Sequence, residues 1–246
     1  MSPEAKAEAK AQLAPTGVLR AGVNMGNFLL VTGRTSDGEP DGCSPDMARA
    51  IAAKLGVPCK LVPFKTPGEL GDAVDDNMWD IGLIGAEPQR AQKIAFTAAY
   101  VEIESTYLVP AGSPIQSIAD VDKAGIRLVT SARSAYGLWL ENNIKHATLI
   151  LAEGLDGSFN KFVEDKLDAL AGLRPRLIED VKKLPGARIL DGQFAAVQQA
   201  VGTAKKNLAG AAFLKDFVEE AKRSGFVKSL IEKHGTVGRL SVAPAA

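Results

Sequence analysis

The stretch that decides the fold reads Trp79-Asp80-Ile81-Gly82-Leu83-Ile84-Gly85-Ala86-Glu87-Pro88-Gln89-Arg90 and continues through Ile94-Ala95-Phe96-Thr97-Ala98-Ala99-Tyr100. Asp80–Ala86 is nearly uncharged, the pattern of a strand buried on both faces, as in a parallel sheet. Pro88 suits the first position of a helix, so the reading places Arg90 in a first helical turn. A cation there opposes the helix dipole at a cost of about 0.3–1 kcal/mol. On the residues alone two explanations stay open. Either the guanidinium shares an anion with the free N–H groups of the helix start, or it pairs with Glu87 or another nearby acid.

Outward from this stretch, strand-like and helix-like segments alternate. Upstream, Val18–Val23 and Lys60–Phe64 read as strands, and Gly33–Gly42, with Asp37-Gly38 and Asp41-Gly42, as a hairpin or loop. Ser44-Pro45-Asp46 reads as a helix start with Ser44 as N-cap; Met47, Ile51 and Leu55 form its inward stripe and Gly56 ends it. Thr66-Pro67-Gly68-Glu69 has the spacing of a capping box. Downstream, Thr106–Val109 is a short strand that runs into the break Pro110-Ala111-Gly112-Ser113-Pro114. Ile126–Thr130, Ala147–Leu151, Asp168–Gly172, Ala187–Leu190 and Ala195–Val201 read as strands. Ser134 is the N-cap of a helix, Phe159, Phe162, Val163 and Leu167 line another, and Arg174–Leu184 is a third with Pro175 in its first turn. Two helices close the chain. Strands separated by helices imply parallel sheets with right-handed crossovers, here in two α/β lobes. A site in such a fold lies outside the carboxyl ends of the strands, in the cleft between lobes.

Composition excludes several classes. The 246 residues carry 29 Lys+Arg and 29 Asp+Glu, a formal net charge of zero, which argues against a nucleic-acid partner. No apolar run approaches the ~18 residues that cross a bilayer. Two cysteines and two histidines cannot supply a Cys/His zinc site of the common kinds, and no metal or cofactor is expected. Cys43 reads as a small hydrophobe in a core, though Cys43 and Cys59 could form one disulfide; His146 and His234 read as solvated. There is no phosphate loop, no dinucleotide fingerprint and no nucleophile elbow. Residues 1–14 are Ala/Glu/Lys-rich without an apolar core, so they are not a secretory signal peptide; they read as a helix, frayed, that stops at Pro15.

The decisive stretch resembles the signature of the bacterial extracellular solute-binding proteins of family 3, the amino-acid type. That signature runs Asp-apolar, Thr-Pro-Glu-Arg, Phe-Ser/Thr-x-Pro-Tyr. Leu19-Arg20-Ala21-Gly22-Val23 is similar to its first strand, and Gly42-Cys43-Ser44-Pro45-Asp46-Met47-Ala48 to its next helix. Ile118-Ala119-Asp120-Val121, Ile126–Val129 and Ser134-Ala135-Tyr136 are similar to the start of its second lobe, and Asp168-Ala169 stands where the family has Val-Asp-Ala. The resemblance spans roughly residues 17–240. It implies a type II periplasmic-binding clamshell, with an N-terminal extension at 1–16, lobe 1 at 17–108 and 195–246, and lobe 2 at 109–194. The two crossovers near 107–112 and 191–196 would act as hinges.

The same resemblance implies a function without chemistry. A small carboxylate-bearing solute, an amino acid or related organic acid, is bound between the lobes and delivered to an ABC-type membrane permease. It implies a monomer in the periplasm; a cytoplasmic sensor or scavenger is the alternative for a chain without a signal. Arg90 aligns with the arginine that takes the ligand carboxylate, and Ser134 and Ala135 with the second-lobe helix start that meets the same carboxylate. Departures stand beside these matches. Gly85 and Glu87 replace hydroxyl residues before the arginine, Asn24 replaces a first-strand acid, and Leu173, followed by Arg174, replaces the acid that pairs with a ligand ammonium. Glu87 could supply the missing charge; otherwise the ligand is a carboxylate without an amine. On this resemblance Pro67 takes the place where a clamping aromatic is common, with Phe28 or Phe64 as substitutes. Arg174 could reach the cleft, or pair with Glu179 or Asp180. Trp79, Tyr100 and Asp168 read as structural. The runner-up is an enzyme: cyclohexadienyl dehydratase resembles this family, eliminates water and carbon dioxide from a cyclic acid, and needs a carboxylic acid to protonate the leaving hydroxyl.

Overall fold

In a computed structural model that describes residues 1–246, the alternation becomes eight helices and thirteen strands. In chain order they are α1 (Pro3–Leu13), β1 (Leu19–Asn24), β2 (Gly33–Arg34), β3 (Pro40–Asp41), α2 (Cys43–Leu55), β4 (Cys59–Phe64), α3 (Pro67–Asp72), β5 (Ile81–Ala86), β6 (Ile94–Phe96) and β7 (Val101–Val109). There follow β8 (Arg127–Ser131), α4 (Ala135–Asn143), β9 (Thr148–Ala152), α5 (Gly154–Glu164), β10 (Ala169–Leu173), α6 (Arg174–Val181), β11 (Arg188–Ile189), β12 (Ala195–Ala204), α7 (Leu208–Arg223), α8 (Phe226–Lys233) and β13 (Ser241–Val242). The chain divides into unit 1, Met1–Glu102 with Gln198–Ala246, and unit 2, Ile103–Val197.

In unit 1, β1 lies between β4 and β5, parallel to both, and the Gln198–Gly202 part of β12 runs antiparallel to β5. The β5 strand is buried along Ile81–Gly85, as its uncharged sequence requires. Phe64, Leu70, Trp79, Ile84 and Ile94 pack on one face, and the Trp79 indole donates to the Leu70 carbonyl at 2.8 Å. Trp79 and Tyr100 are both core residues. The N-terminal helix is not frayed: Ala9 and Leu13 are buried, Leu13 lies against Gly210 of α7, and Gln12 Oε1 accepts the Gly210 N–H at 2.9 Å.

Helix α2 starts two residues earlier than its Ser-Pro-Asp sequence suggests. Gly42 is its N-cap at φ 148°, and a Cβ there would sit 2.2 Å from the Leu30 carbonyl oxygen, so only glycine fits. Ser44 is thereby drawn inward to donate to that carbonyl rather than to cap. Thr66 does cap α3, its hydroxyl accepting the Glu69 N–H at 3.1 Å.

In unit 2, β8 pairs in parallel with β9 and β10, and β7 runs antiparallel to β10. One face carries Tyr107, Val109, Leu128, Leu140 and Ala171; the other carries Leu108, Val129, Phe162, Leu170 and Leu177. Tyr107 stacks on Phe194 at 4.6 Å, and Phe194 also meets Trp139 at 5.3 Å. Pro175 falls in the first turn of α6, as its fixed φ favours. Strands β7 and β12 are longer than their apolar cores because flanking polar residues continue the ladders.

Candidate functional site

The carboxyl end of β5 carries a buried polar arrangement in unit 1. No α-helix opens at Pro88. Instead the chain makes a turn and one 3₁₀ segment, Arg90–Gln92, before returning as β6. The cause is Glu87. Its Oε2 accepts the Gln89 N–H at 2.8 Å and its Oε1 accepts the Arg90 N–H, which fixes the turn. The helix-dipole argument for Arg90 therefore lapses, since no α-helix stands behind it. What remains is a buried guanidinium, 9% exposed, whose Nη1 donates to the Gly85 carbonyl at 2.7 Å. Glu87 is itself 8% exposed. Arg90 therefore does not simply face water.

The carboxyl ends of the other strands of unit 1 frame this feature. Asn24 closes β1, with its Oδ1 accepting the Gly26 N–H at 2.9 Å. The following loop is folded by Asn27, whose Oδ1 accepts the N–H groups of Leu29 and Leu30, and it leaves Phe28 half-buried. Phe64 belongs to the core instead.

In unit 2 the carboxyl end of β8 leads into α4. Ser134 is the N-cap, its hydroxyl accepting the Gly137 N–H at 3.0 Å and donating to the Ser131 carbonyl at 2.8 Å. The amides of Ala135 and Tyr136 precede the first intrahelical bonds, and such groups suit an anion. At the end of β10, Leu173 is buried. Arg174 pairs with neither Glu179 nor Asp180. Its Nε donates to Glu104 at 2.6 Å and its Nη2 to the carbonyls of Leu190 and Gly192, because the antiparallel β7 brings Glu104 to this end of the sheet. Asp180 is taken by Arg176 at 2.9 Å.

The cysteines and histidines stand apart from these features. Cys43 and Cys59 are free, and burial pushes each thiol up to about 11, so neither is an activated nucleophile. His146 is exposed. His234 is not solvated: its ring is 5% exposed and its Nε2 lies 2.7 Å from Asp46 Oδ2. Asp41, Asp46 and His234 come together, but Asp46 is also engaged by Lys233 and Arg49. Burial raises the Asp46 pKa, and its hydrogen bonds to Lys233, His234 and Arg49 outweigh this and hold it below the ordinary range. Such a cluster is an ion-pair network between α2 and α8.

Residues 20–237 of the sequence match the bacterial extracellular solute-binding proteins, family 3. The chain belongs to this family. ArgBP of T. maritima superposes with a TM-score of 0.72 at 19% identity, covering 93% of this chain and 99% of that one. AbpA of Streptococcus pneumoniae, an amino acid ABC transporter substrate-binding protein solved with L-arginine, gives 0.72 at 19%, covering 92% and 98%. These likenesses establish the type II periplasmic-binding fold. A curated relative, cyclohexadienyl dehydratase of Pseudomonas aeruginosa, is 24% identical over 159 residues, 63% of this chain and 59% of the relative's length. No helix of this family member is long and apolar enough to cross a membrane.

Several polar residues near these strand ends escaped the reading of the sequence. Ser131 Oγ meets the Gly154 carbonyl at 2.9 Å and Ser158 Oγ at 3.0 Å, joining the starts of α4 and α5. At the opposite, amino end of β9, Asp122 accepts the N–H groups of Lys145, His146 and Ala147. Spacing in the chain does not reveal such pairings; only the β8–β9 register brings them together.

Proposed function

We propose that this family member is a non-enzymatic solute-binding protein. It takes one small carboxylate-bearing solute and passes it to an ABC-type membrane permease, working as a monomer in the periplasm. The observation that carries the reading is Arg90, a guanidinium held at the end of a buried strand by the Gly85 carbonyl, where a planar fork can grip a carboxylate. Glu87 supports it by fixing the turn. In unit 2 the first-turn amides of Ala135 and Tyr136, behind the Ser134 cap, offer donors of the same kind. Asn24 and Phe28 contribute a neutral polar group and shape in unit 1, whereas Arg174 is occupied by Glu104. The amino acid transporter protein of Streptococcus pneumoniae supports the permease assignment by likeness of fold.

A thermal-shift screen of amino acids, dicarboxylates and aromatic acids tests the reading. A ligand at 100 times its Kd adds about 2.7 kcal/mol of stability, a clear rise in Tm. Carboxylates should shift the transition while their amides and alcohols do not. A panel in which only uncharged solutes stabilise the protein would refute the assignment.

The second reading, dehydration of a cyclic acid, is favoured by the cyclohexadienyl dehydratase relative. It needs a carboxylic acid to protonate a leaving hydroxyl. Glu87 has both oxygens on backbone amides, and Leu173 supplies none. Incubation with prephenate and arogenate should therefore give no turnover above the uncatalysed rate.

A further inference from the structure

The strand ladder of unit 2 ends at β9, Thr148–Ala152, with no strand beyond it. We propose that this edge is a self-pairing surface, at which a second copy of the chain adds its own β9 antiparallel about a two-fold axis at Ile150. The inference is independent of the ligand reading. In the parallel β8–β9 pair the Thr148 N–H donates to the Ile126 carbonyl, and the Ala152 carbonyl accepts the Ala132 N–H. Backbone groups alternate in direction along a strand. Thr148, Ile150 and Ala152 therefore face β8, and Leu149 and Leu151 turn their N–H and C=O groups outward. Edges of this kind are ordinarily blunted by charge, proline or a bulge. The edge strand of unit 1, β4, carries Lys60 and Pro63, and Pro63 has no N–H to offer. β9 reads Thr-Leu-Ile-Leu-Ala in an unbroken register and has none of these.

The occupant follows from the strand being complementary to itself. Ile150 set opposite Ile150 puts Leu149 opposite Leu151 of the second copy, and Leu151 opposite its Leu149. Both are then hydrogen-bonded pairs that exchange N–H···O bonds, and the axis falls on a non-hydrogen-bonded pair, as an Ile150 facing β8 requires. A slip of one residue would set outward backbone groups against inward ones. The side chains agree. Leu149 packs with the cluster around Leu140 and Ile150 with the cluster around Phe162, but Leu151 is 46% exposed. Alternation puts Leu151 on the Leu149 face, so pairing covers it with Leu149 of the second copy. Charge agrees as well. The strand is entered past the exposed Lys145 and left at the exposed Glu153. Asp122, at the entry, is half-buried against the N–H groups of Lys145, His146 and Ala147. An antiparallel pair brings Lys145 of each copy toward Glu153 of the other, whereas a parallel pair would set like charges together. An edge of five residues is a small interface beside the roughly 1,000 Å² that a stable one needs, so the pairing is weak and the dilute chain is the monomer proposed above.

Sedimentation velocity of the full chain from roughly 10 μM to roughly 1 mM tests this. The parent should pass from monomer to dimer without larger species. The Leu149 and Leu151 amides should exchange with deuterium more slowly at the top of that range, by about threefold or more. Leu151→Lys, at an exposed position, should remain monomeric throughout, with circular dichroism establishing that it folds. Glu153→Lys should weaken pairing by about tenfold, and Lys145→Glu added to it should restore the parent's behaviour, because the two exchanges compensate across the two-fold axis. A parent that stays monomeric at the highest concentration, a dimer that survives Leu151→Lys, or growth into larger species would overturn the proposal. Failure of the double exchange to restore pairing would overturn the antiparallel register on which it stands.

Discussion

In unit 1 the Asp80 carboxylate accepts the backbone N–H of Arg20 at 2.9 Å and grips its guanidinium in two places, while the carbonyl of Asn77, at φ 51°, takes another arm at 2.8 Å. In unit 2 Asp168 accepts the Arg127 N–H at 2.7 Å and its Nε at 3.1 Å, and the carbonyl of Lys166, at φ 49°, takes Nη2 at 2.8 Å. Each aspartate returns its own N–H to its arginine's carbonyl. The same device thus begins the third strand of each parallel ladder, β5 and β10, and it pins that strand to its neighbour. The far ends of the same two strands differ. β5 runs into Glu87-Pro88-Gln89-Arg90 and a buried guanidinium, and β10 into Leu173-Arg174-Pro175 and a surface ion pair. What is repeated anchors the start of each strand, and what differs is the side chains that each strand end carries.

The first way to break this comparison is to remove the aspartates. Asp80 is 4% exposed and Asp168 33% exposed. Asp80→Ala leaves a half-buried guanidinium and a backbone N–H unmet and should cost roughly 3 kcal/mol or more. Asp168→Ala, open to water, should cost about 1 kcal/mol. Urea denaturation measures both; equal losses would show that the two pairs are not graded by burial. Next in size is Gly137→Ala. A Cβ there would lie 2.5 Å from the Ser131 carbonyl oxygen and 2.8 Å from Ser134 Oγ, so it should push apart the start of α4. Overpacking of this kind costs about 1–3 kcal/mol, and an unchanged Tm would contradict the packing described here.

A smaller effect separates the units by pH. Burial raises the Asp168 pKa, but its hydrogen bonds and charge pairing with Arg127 more than offset this and leave it lowered. A lowered carboxylate stabilises the fold above its unfolded pKa, and that contribution is lost as pH falls through the folded value. The stability gap between the parent and Asp168→Asn should be full at neutral pH and close below the ordinary carboxylate range. A gap that persists in strong acid would contradict the assignment. The smallest effect is on the thiols. With both pushed up to about 11, Cys43 and Cys59 should label slowly with iodoacetamide at neutral pH until the protein is unfolded.

Much of the fold was legible because burial on both faces writes itself into a strand. Ile81–Gly85 is apolar without alternation, and the strand is buried as its sequence requires. The caps at Thr66 and Ser134 were legible because their partners lie three residues away. The start of α2 and the turn at Pro88 were not. Gly42 is dictated by a Leu30 carbonyl twelve residues back in the chain, and the 3₁₀ turn by where the Glu87 side chain points. Arg174 was misjudged for the same reason, since Glu104 lies 70 residues away and meets it only through the β7–β10 register. Local signals were readable, whereas contacts set by strand pairing were not.

The central claim is that Arg90 takes the carboxylate. Calorimetric titration of Arg90→Ala and Arg90→Lys against the parent, using the tightest-binding acid of the screen, tests it most directly. Circular dichroism establishes beforehand that each variant folds. Truncating a bidentate charge-assisted pair should weaken binding by roughly 100-fold or more, and lysine, which lacks the planar fork, should recover only part of it. The loss of the bond to the Gly85 carbonyl should also lower the stability of Arg90→Ala by about 1 kcal/mol. Affinity of a folded Arg90→Ala protein within about threefold of the parent would contradict the account and move the carboxylate to another cation.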